Sequence, residues 1–299
     1  MTHRGKLGIR GSPFEHLALR HPCFSAEAHT RAGRIHLPVS STCNIRCRFC
    51  ERSFDSSTWR PGVASRLLDP AMAPETVARA LELCPELAVV GVAGPGESLA
   101  TSHAPYALEA VLSRFPGLIG CLSTNGLSLP HQVDRLAAIG VRTVTVTVNA
   151  LTPAVWPKVY AWIRHSGRKV EGDEAAWILS TAQEEGIRRA TARGLVVKVN
   201  TVLVPGVNEA EVGAIASCAA ACGASLMNVI PLLPAGEMAA CPSPDCEMIE
   251  KARRQVENYL PVFRHCRYCR ADACGIPGVG RDFAGDLHGE ARQETFSHG

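Results

Sequence analysis

The sequence predicts an α/β fold in which six strand–helix units form a partial (β/α)6 barrel of the TIM type. Two observations support this prediction. Short apolar runs alternate with amphipathic segments from about residue 74 to residue 259, and the apolar runs are almost wholly hydrophobic, as buried parallel strands are. The connections are short, so successive strands are expected to be parallel with right-handed crossovers.

The elements follow in order along the chain. We expect strands at residues 34–39, 87–93, 118–123, 141–148, 195–203 and 225–230. We expect helices at residues 74–83, 106–114, 133–139, 175–193, 209–221 and 246–259. The helix at 74–83 opens with proline and glutamate, which favour a first turn, and the strand at 141–148 alternates valine with threonine. Residues 34–260 form the predicted core, and residues 1–33 and 261–299 are predicted N- and C-terminal extensions.

Composition limits the class of protein. The chain has 299 residues, of which 46% are hydrophobic, and its formal net charge of +3 gives no reason to expect nucleic acid as a partner. Thirteen cysteines without a signal peptide indicate cluster or metal chemistry in a reducing cytoplasm. The uncharged stretch 212–236 is interrupted by glycine, asparagine and proline, so no membrane span is expected. We expect a cytoplasmic monomer.

Three cysteines, Cys43, Cys47 and Cys50, follow the first predicted strand with the spacing C-x3-C-x2-C. A four-iron cluster held by three thiolates has one iron without a protein ligand, and that iron is open to a small molecule. Structural zinc sites need four ligands, usually from separated pairs, and fit this triplet less well. The spacing therefore favours an iron–sulfur cluster.

This motif, with Phe49 just before the last cysteine, resembles the motif of the radical S-adenosylmethionine (SAM) superfamily. The resemblance implies a partial barrel of the radical SAM type and a [4Fe–4S] cluster whose open iron binds the amine and carboxylate of SAM. It also implies that Cys43, Cys47 and Cys50 hold the cluster of the catalytic centre, where SAM is cleaved reductively to a 5′-deoxyadenosyl radical.

Further candidates lie at the ends of the predicted strands, where ligands bind in such barrels. Gly94, Gly96 and Glu97 follow the second strand, and by the resemblance they hold the amino group of SAM. Without the cysteines, an ordinary strand-to-helix turn would be the preferred explanation. The other strand ends provide five more candidates for cofactor binding: Ser123, Asn125, Asn149, Asn200 and Met227. A hydrogen bond to the backbone explains any one of these polar side chains on its own. Several of them at one rim of the barrel indicate a surface that binds ribose, adenine and substrate.

A second compact set, Cys266 and Cys269, lies near the C-terminus with the spacing C-x2-C. On its own this spacing fits half a zinc site, a redox dithiol or two ligands of another cluster. Cys23 offers a third thiolate, and His29 or His36 offers a nitrogen ligand. If the two ends of the chain meet beside the barrel, these residues form an auxiliary cluster site.

Several runs between residues 21 and 275 are similar to those of the NifB family of nitrogenase cofactor maturases. The similar runs are 21–23, 34–36, 43–50, 89–96, 121–126 and 266–273. The resemblance implies a SAM-dependent fusion of two [4Fe–4S] clusters with insertion of a carbide carbon. It also implies an auxiliary [4Fe–4S] cluster, the first precursor, held by Cys23, Cys266 and Cys269 with His36, and a second precursor site that includes Cys121. The implied partners are iron–sulfur cluster donor or acceptor proteins and a low-potential electron donor.

The chain departs from the family shortly after the SAM-cluster motif. Ser56 and Trp59 stand where NifB proteins carry a cysteine and a glutamate of the second precursor site. Serine is a poor cluster ligand beside a thiolate, and the indole is expected to fill space that a cluster needs. The alternative is therefore a NifB-like paralogue that lacks this site and acts on a different substrate. A third hypothesis, an iron–sulfur scaffold without enzymatic activity, is disfavoured by the SAM-type strand ends.

Two features lie outside these motifs. Cys218 and Cys222 are four residues apart on one face of a predicted helix, an arrangement that fits two metal ligands, although small buried thiols are the preferred interpretation. His288 is expected to be a solvated residue of the C-terminal tail.

Overall fold

The computed structural model describes residues 14–266, 268–290 and 296–297. The strands are β1 Gly33–His36, β2 Ile45–Cys47, β3 Ser53–Phe54, β4 Val63–Ala64, β5 Leu87–Val92, β6 Ile119–Thr124, β7 Val141–Thr147, β8 Tyr160–His165, β9 Arg168–Val170, β10 Val196–Leu203, β11 Leu226–Pro231 and β12 Cys274–Gly275. The helices are α1 Glu15–Ala18, α2 Ala26–His29, α3 Ala73–Leu83, α4 His103–Arg114, α5 Leu129–Ala138, α6 Trp156–Val159, α7 Gly172–Ala192, α8 Val212–Ala221, α9 Cys246–Glu257 and α10 Ala284–His288.

The main sheet of the described chain has the strand order β11-β10-β7-β6-β5-β1-β12. Strands β1, β5, β6, β7, β10 and β11 are parallel to one another. Strand β12 runs antiparallel to β1, with Arg34 opposite Gly275. The sheet curls into half a barrel with helices on its outer face, so the predicted partial (β/α)6 barrel is confirmed.

The strands of the barrel have two chemically different faces. Val90, Leu122 and Val144 lie in the large hydrophobic core that the sheet shares with the surrounding helices. Because side chains alternate along a strand, the side chain of Cys121 projects to the opposite, inner face. Its register partner Gly91 presents only its Cα hydrogen there. The inner face therefore carries the thiol and polar groups that matter for the site.

Helix α5 shows how the outer layer is built. It begins at Leu129, four residues before the predicted start, with Pro130 in its first turn, where a missing N–H costs no helical hydrogen bond. Leu129, Val133 and Leu136 follow one another at helical spacing and are fully buried. Burial of each such side chain contributes roughly 1.5–3 kcal/mol to stability.

The sequence prediction missed a hairpin after β7. Strands β8 and β9 pair antiparallel, and β8 also pairs with β2, placing Ile45 opposite Ile163. The turn is formed by Ser166 and Gly167, which both adopt positive φ, at 50° and 75°. Tyr160 and Ile163 belong to a second hydrophobic core, against which the cysteine-bearing loop packs.

The C-terminal extension folds against the barrel, where β12 extends the sheet and α10 contacts α3. His288, the last residue of α10, is only 1% exposed, so the expectation of a solvated tail position is wrong. Burial lowers the pKa of His288 to about 4, although the nearby carboxylate of Asp272 opposes this shift. Among the helices that the structure describes, none is both long enough and apolar enough to cross a membrane.

Candidate functional site

The cysteine loop is held in place by the unpredicted hairpin. Cys43 precedes β2, Cys47 ends it, and the N–H of Cys50 donates to the carbonyl oxygen of Cys47 at 3.1 Å in the turn that follows. The main-chain N–H of Arg164, on β8, donates to the carbonyl oxygen of Asn44 at 2.7 Å. The three thiols therefore sit on a loop whose backbone is fixed on both sides.

The three thiols of this loop share an environment that disfavours a bare thiolate. Burial raises the pKa of Cys43 to about 12, and the negative charge of Glu97 adds to the shift. Burial likewise raises the pKa of Cys47 and of Cys50 above the ordinary value. Without a bound metal the thiols remain protonated at neutral pH, so a cluster binds here by displacing their protons.

The segment from Gly94 to Glu97 joins the two cysteine-bearing parts of the chain. A side chain at Gly96 is excluded because its Cβ would lie 2.4 Å from the carbonyl oxygen of Thr42, next to the first thiol of the loop. Gly94 has φ +125°, and a Cβ there would lie 3.3 Å from the Cβ of Ala271, in the C-terminal cysteine segment. These glycines therefore allow both segments to approach the end of β5.

Glu97 links the ends of two neighbouring strands beneath the cysteine loop. Its buried carboxylate accepts hydrogen bonds from the Oγ1 of Thr124 at 2.5 Å, the N–H of Asn125 at 2.7 Å and the N–H of Leu99 at 3.0 Å. Burial raises the pKa of Glu97, and these donors oppose the shift. The geometry gives Glu97 a positioning role, and its predicted contact with a ligand amino group stays a prediction.

Ser123 and Asn125 lie at the C-terminal end of β6, Ser123 within the strand and Asn125 directly after it. The Nδ2 of Asn125 donates to the Oδ1 of Asn44 at 2.7 Å, which ties the strand end to the cysteine loop. The carbonyl oxygen of Asn125 accepts from the Nε2 of Gln183 at 2.8 Å. Ser123 is half-buried two residues beyond Cys121, on the same inner face. Both predicted residues therefore lie at the rim beside the loop.

Three buried amide atoms at the strand ends have no hydrogen-bond partner among the described residues: the Nδ2 of Asn149, the Oδ1 of Asn200 and the Oδ1 of Asn228. Asn200 and Asn228 are register partners on β10 and β11. Buried polar atoms in folded proteins nearly always have partners. A polar ligand at this rim supplies the missing ones, so the orphaned amides fit a nucleoside-like cofactor.

Met227 is the one predicted strand-end residue that the structure moves away from the rim. Its side chain is fully buried in the hydrophobic core shared with the helices, together with its register partner Val199. The next residue, Asn228, has the opposite orientation and carries one of the orphaned amides. The core position of Met227 therefore speaks against its predicted contact with a cofactor, and Asn228, which the sequence places beside it at the end of the sixth strand, is the better candidate.

A second group of thiols gathers on the inner face of the barrel. Burial raises the pKa of Cys23 to about 12, Lys198 opposes this shift, and the thiols of Cys269, Cys121 and Cys266 add to it. Cys23 and Cys266 also pack against the same small hydrophobic cluster, which contains Phe24 and Phe263, so these two thiols lie in one region of the fold. The structure thus brings the two ends of the chain together with Cys121 of the barrel.

Two histidines next to these thiols have opposite tautomers. The Nδ1 of His36 donates to the carbonyl oxygen of Arg270 at 3.0 Å, which leaves a lone pair on Nε2. The Nδ1 of His21 accepts from the N–H of Cys23 at 3.1 Å, so its buried Nε2 carries a hydrogen, and no described residue accepts it. His36 is therefore suited to bind a metal, and His21, which the sequence prediction did not include, to donate to an anion.

His29 has a different setting from His36. His36 lies in register with Gly91, which is itself paired with Cys121, so its ring is on the inner face near the thiols. The ring of His29 instead packs against Phe263, with centroids 5.9 Å apart, and its Nδ1 lies 2.8 Å from the carbonyl oxygen of Pro22. Both rings engage a carbonyl oxygen through Nδ1, so the inner-face position of His36, and not its tautomer, favours it over His29.

Buried positive charges face the gathered thiols. The Nη2 of Arg34 donates to the Sγ of Cys269 at 3.4 Å. The Nζ of Lys198 lies 3.4 Å from the carbonyl oxygen of Cys23 and 5.2 Å from the ring centroid of Phe24. Both cations are at least 94% buried, a position that is costly unless anions compensate them. The carboxylate of Asp282, 3.7 Å from the Nη2 of Arg34, compensates Arg34 in part. An iron–sulfur cluster with thiolate ligands is such an anion, so the donor set fits an auxiliary cluster.

The loop that departs from the NifB pattern lies at the surface. Ser56 is exposed, and Trp59 is 51% exposed, so the indole does not fill the barrel as expected. Arg270 holds the loop by donating to the carbonyl oxygens of Asp55 at 2.8 Å and Thr58 at 2.7 Å. The expected steric obstacle to a second cluster is therefore absent from this described loop, while the replacement of a thiol by a hydroxyl at Ser56 remains.

Near the C-terminus, the chain returns to the cysteine loop. The carbonyl oxygen of Ser297 accepts from the N–H of Cys43 at 3.1 Å. The ring of Phe296 stacks on Phe54 at a centroid distance of 4.2 Å, and the guanidinium of Arg52 lies over it at 4.9 Å. These contacts cover one side of the loop that carries the first cysteine set.

The fold and the site define the class of the protein. Residues 37–219 match the family model described as the radical SAM superfamily, so the chain belongs to this superfamily. It is a radical SAM enzyme, and SAM and [4Fe–4S] clusters are its cofactors. Within the superfamily the chain belongs to the NifB family. It is 42% identical over 272 residues to the FeMo cofactor biosynthesis protein NifB of Klebsiella pneumoniae, an alignment that covers 88% of this chain and 58% of that protein.

A shorter relative matches over most of its length. The FeMo cofactor biosynthesis protein NifB of Methanocaldococcus infernus is 41% identical over 267 residues, which cover 89% of this chain and 88% of that protein. Among solved structures, Streptococcus suis SuiB overlaps with a TM-score of 0.56 at 12% identity, covering 79% of this chain and 50% of that chain. The structural likeness shows the shared fold alone.

Proposed function

We propose that the chain catalyses the NifB-type step of FeMo cofactor biosynthesis, in which two [4Fe–4S] clusters are joined and a carbide carbon derived from SAM is inserted. The proposal is carried by a second set of thiols: Cys23 and Cys266 pack against one hydrophobic cluster, Arg34 donates to Cys269, and Cys121 lies in register with Gly91 and His36 on the inner face. A radical SAM enzyme that uses only its SAM cluster has no need of this second set. The NifB relatives carry the biosynthetic role in their names.

In this proposal Cys43, Cys47 and Cys50 hold the resident cluster at the rim. When bound, that cluster supplies the electron for the reductive cleavage of SAM. Gly94 and Gly96 let the backbone of the β5 end come close to the loop, which supports their predicted role in SAM binding. The orphaned amides of the strand ends, together with Ser123 and Asn125, are the proposed contacts of the SAM nucleoside.

The first precursor cluster is proposed as a substrate held by Cys23, Cys266 and Cys269 with the Nε2 of His36. The tautomer of His36 supports this assignment, because its Nδ1–H is already engaged by a carbonyl oxygen. His21 is proposed to donate its Nε2–H to a cluster sulfide. Arg34 and Lys198 compensate the negative charge of the thiolate-ligated cluster.

The second precursor cluster is proposed to bind beside Cys121. Cys121 is separated from His36 only by Gly91 in the sheet register, so a cluster bound there is adjacent to the first. The missing side chain of Gly91 leaves room between them, since a Cβ at this position would touch the Cβ of Cys121 at 3.4 Å. Of the predicted extensions 1–33 and 261–299, we propose that the described parts 14–33, 261–266 and 268–290 complete this chamber; residues 1–13 lie outside the described residues. A cytoplasmic cluster donor and a low-potential electron donor are the proposed partners.

Anaerobic reconstitution tests the proposal. We expect iron and sulfide corresponding to three four-iron clusters, 5′-deoxyadenosine formation under reduction, and an eight-iron product. Cys121→Ser is expected to lower iron by one cluster and to abolish the eight-iron product while 5′-deoxyadenosine still forms. Cys246→Ser, at an exposed cysteine of α9, is the matched control and is expected to behave like the wild type. Two clusters with normal SAM cleavage, or an eight-iron product from Cys121→Ser, would contradict the proposed substrate.

A further inference from the structure

A third group of metal-ligating side chains lies outside the barrel. Glu184 is on α7, Cys218 is on α8, and Cys222 directly follows α8. One ligand atom from each of these residues lies within 4.8 Å of the other two, a grouping that no other set of three or more His, Cys, Asp or Glu side chains achieves in the described part of the chain. The sequence showed the two cysteines, and the fold adds the carboxylate.

The position of this group separates it from the proposed cluster sites. The main hydrophobic core lies between α8 and the sheet, where Ile215 and Ala219 are buried. Cys222 is buried at 4% exposure, while Cys218 and Glu184 are half-buried at the contact between α7 and α8. The group is therefore on the outer, helical layer, on the opposite side of the sheet from Cys121.

The three side chains have the chemistry and spacing of a site for one ion. Two thiolates and a carboxylate are ligands that zinc accepts, and three protein ligands leave its fourth position to water. Zinc bonds of about 2.0–2.3 Å in a tetrahedron set ligand separations of roughly 3.3–3.8 Å, which side chains 4.8 Å apart or less reach by small rotations. The i, i+4 spacing of the cysteines puts both sulfurs on one side of α8.

The local charges also balance for a divalent ion. The Nη2 of Arg188, one turn after Glu184 on α7, donates to the Oε2 of that carboxylate at 2.8 Å. Two thiolates and one carboxylate carry a charge of −3, which the dication and the guanidinium neutralise. Without a metal, burial and the nearby Glu184 raise the pKa of Cys218 to about 12, so the empty site holds thiols.

We propose that Glu184, Cys218 and Cys222 bind one zinc ion at the contact between α7 and α8, in an open site whose fourth position holds water. These helices precede and follow β10, the strand that carries Lys198 and Asn200. The residue before Glu184, Gln183, donates to the carbonyl oxygens of Asn125 at 2.8 Å and Thr147 at 2.9 Å. A metal at this position therefore lies one residue from the outer support of the strand ends and on the other side of the sheet from the iron–sulfur sites.

Zinc titration of the cluster-loaded, anaerobically purified full chain tests this proposal. We expect one tightly bound equivalent of zinc beyond the iron, measured by elemental analysis after desalting. Glu184→Gln and Cys218→Ser are expected to weaken zinc binding at least about tenfold, with the iron content unchanged. Cys246→Ser is the matched control, since it removes an exposed cysteine of α9. Equal zinc binding by all four proteins overturns the proposal.

Cobalt provides a second measurement, and its first readout uses the wild type alone. Cobalt(II) added to the wild type is expected to give a thiolate-to-metal charge-transfer band, read as a difference spectrum against the iron–sulfur absorption. The band is expected to disappear in Cys218→Ser and in Cys222→Ser. Its absence in the wild type, its persistence in both variants, or a Cys218–Cys222 disulfide found by mass spectrometry under anaerobic purification overturns the site.

Discussion

The main-chain N–H of Gly96 donates a 2.6 Å hydrogen bond to the carbonyl oxygen of Ser40. This contact fixes the end of β5 against the residues that lead into the cysteine loop, and the N–H of Glu97 extends it by donating to the carbonyl oxygen of Thr42 at 2.8 Å. Backbone hydrogen bonds from the end of β5 therefore fix the start of the loop proposed to hold the SAM cluster. These hydrogen bonds also determine where its first thiol lies.

Gly96→Ala is expected to displace the loop, because the new Cβ would meet the carbonyl oxygen of Thr42 at 2.4 Å. We expect a loss of about 1–3 kcal/mol of folding stability and a marked fall in 5′-deoxyadenosine formation. Denaturant unfolding and product analysis measure the two effects. Gly117→Ala is the control, since a Cβ there meets nothing within 4 Å. Wild-type activity in Gly96→Ala would show that the close approach has no importance for the site.

Lys198→Met is expected to weaken the proposed auxiliary cluster. The substitution keeps an unbranched side chain between Phe24 and Phe263 but removes the buried positive charge that faces Cys23. We expect iron to leave the auxiliary site to a chelator about tenfold faster, while the rim cluster exchanges at its usual rate. Lys158→Met, at an exposed lysine, serves as the control. Equal iron release from both variants and the wild type would show that Lys198 does not stabilise the auxiliary cluster.

His36→Gln and His29→Gln separate the two histidines that the sequence left as candidates. His36 presents an Nε2 lone pair on the inner face, whereas the ring of His29 packs against Phe263. We therefore expect His36→Gln to lose the iron of one cluster and His29→Gln to retain it, as measured by iron and sulfide analysis after anaerobic reconstitution. The reverse outcome would assign the nitrogen ligand to His29.

The buried His288 gives the metal-free protein a pH-dependent stability. The pKa of His288 is about 4 in the folded state and about 6.5 in the unfolded chain. Between these two pH values the unfolded chain therefore binds a proton at His288 that the folded protein does not bind. The stability is therefore complete above about pH 6.5 and falls as the pH drops toward 4, by at most roughly 3 kcal/mol from this residue.

His288→Gln should flatten part of this decline, because glutamine takes up no proton. Thermal or urea unfolding of the metal-free chain at several pH values measures the difference. His103→Gln, at an exposed histidine, is the matched control and should keep the wild-type slope. Parallel pH profiles for His288→Gln and the wild type would show that the buried imidazole is not the group responsible.

The features that the sequence predicted correctly are those with local causes. The cysteine spacing of Cys43, Cys47 and Cys50 lies within eight consecutive residues, and the strand–helix alternation shows in each segment separately. The choice between Met227 and Asn228 depends on which face of β11 meets the helices, and that is decided by pairing with β10. The missed hairpin had a local signal as well, in Ser166 and Gly167 between two strand-like runs.

Other features could not be predicted because they depend on contacts between distant parts of the chain. The proposed donor role of His21 depends on an N–H of Cys23 that fixes its tautomer and on the burial of its other nitrogen. The exposed position of Trp59 follows from the way Arg270 holds the preceding loop. Glu184 gave no sign of a metal site until the packing of α7 on α8 placed it beside Cys218.

The pairing of β12 with β1 sets an order of events during biosynthesis. The Nη1 of Arg34 donates to the carbonyl oxygen of Gly275 at 2.6 Å, a contact between residues 241 positions apart. A ribosome that has finished the loop from Cys43 to Cys50 has assembled every thiol of the rim site, yet it still has the C-terminal cysteine segment to translate. The proposed auxiliary site therefore arises only after the segment from Cys266 to Gly275 has been added, when all six parallel strands of the barrel have already been translated.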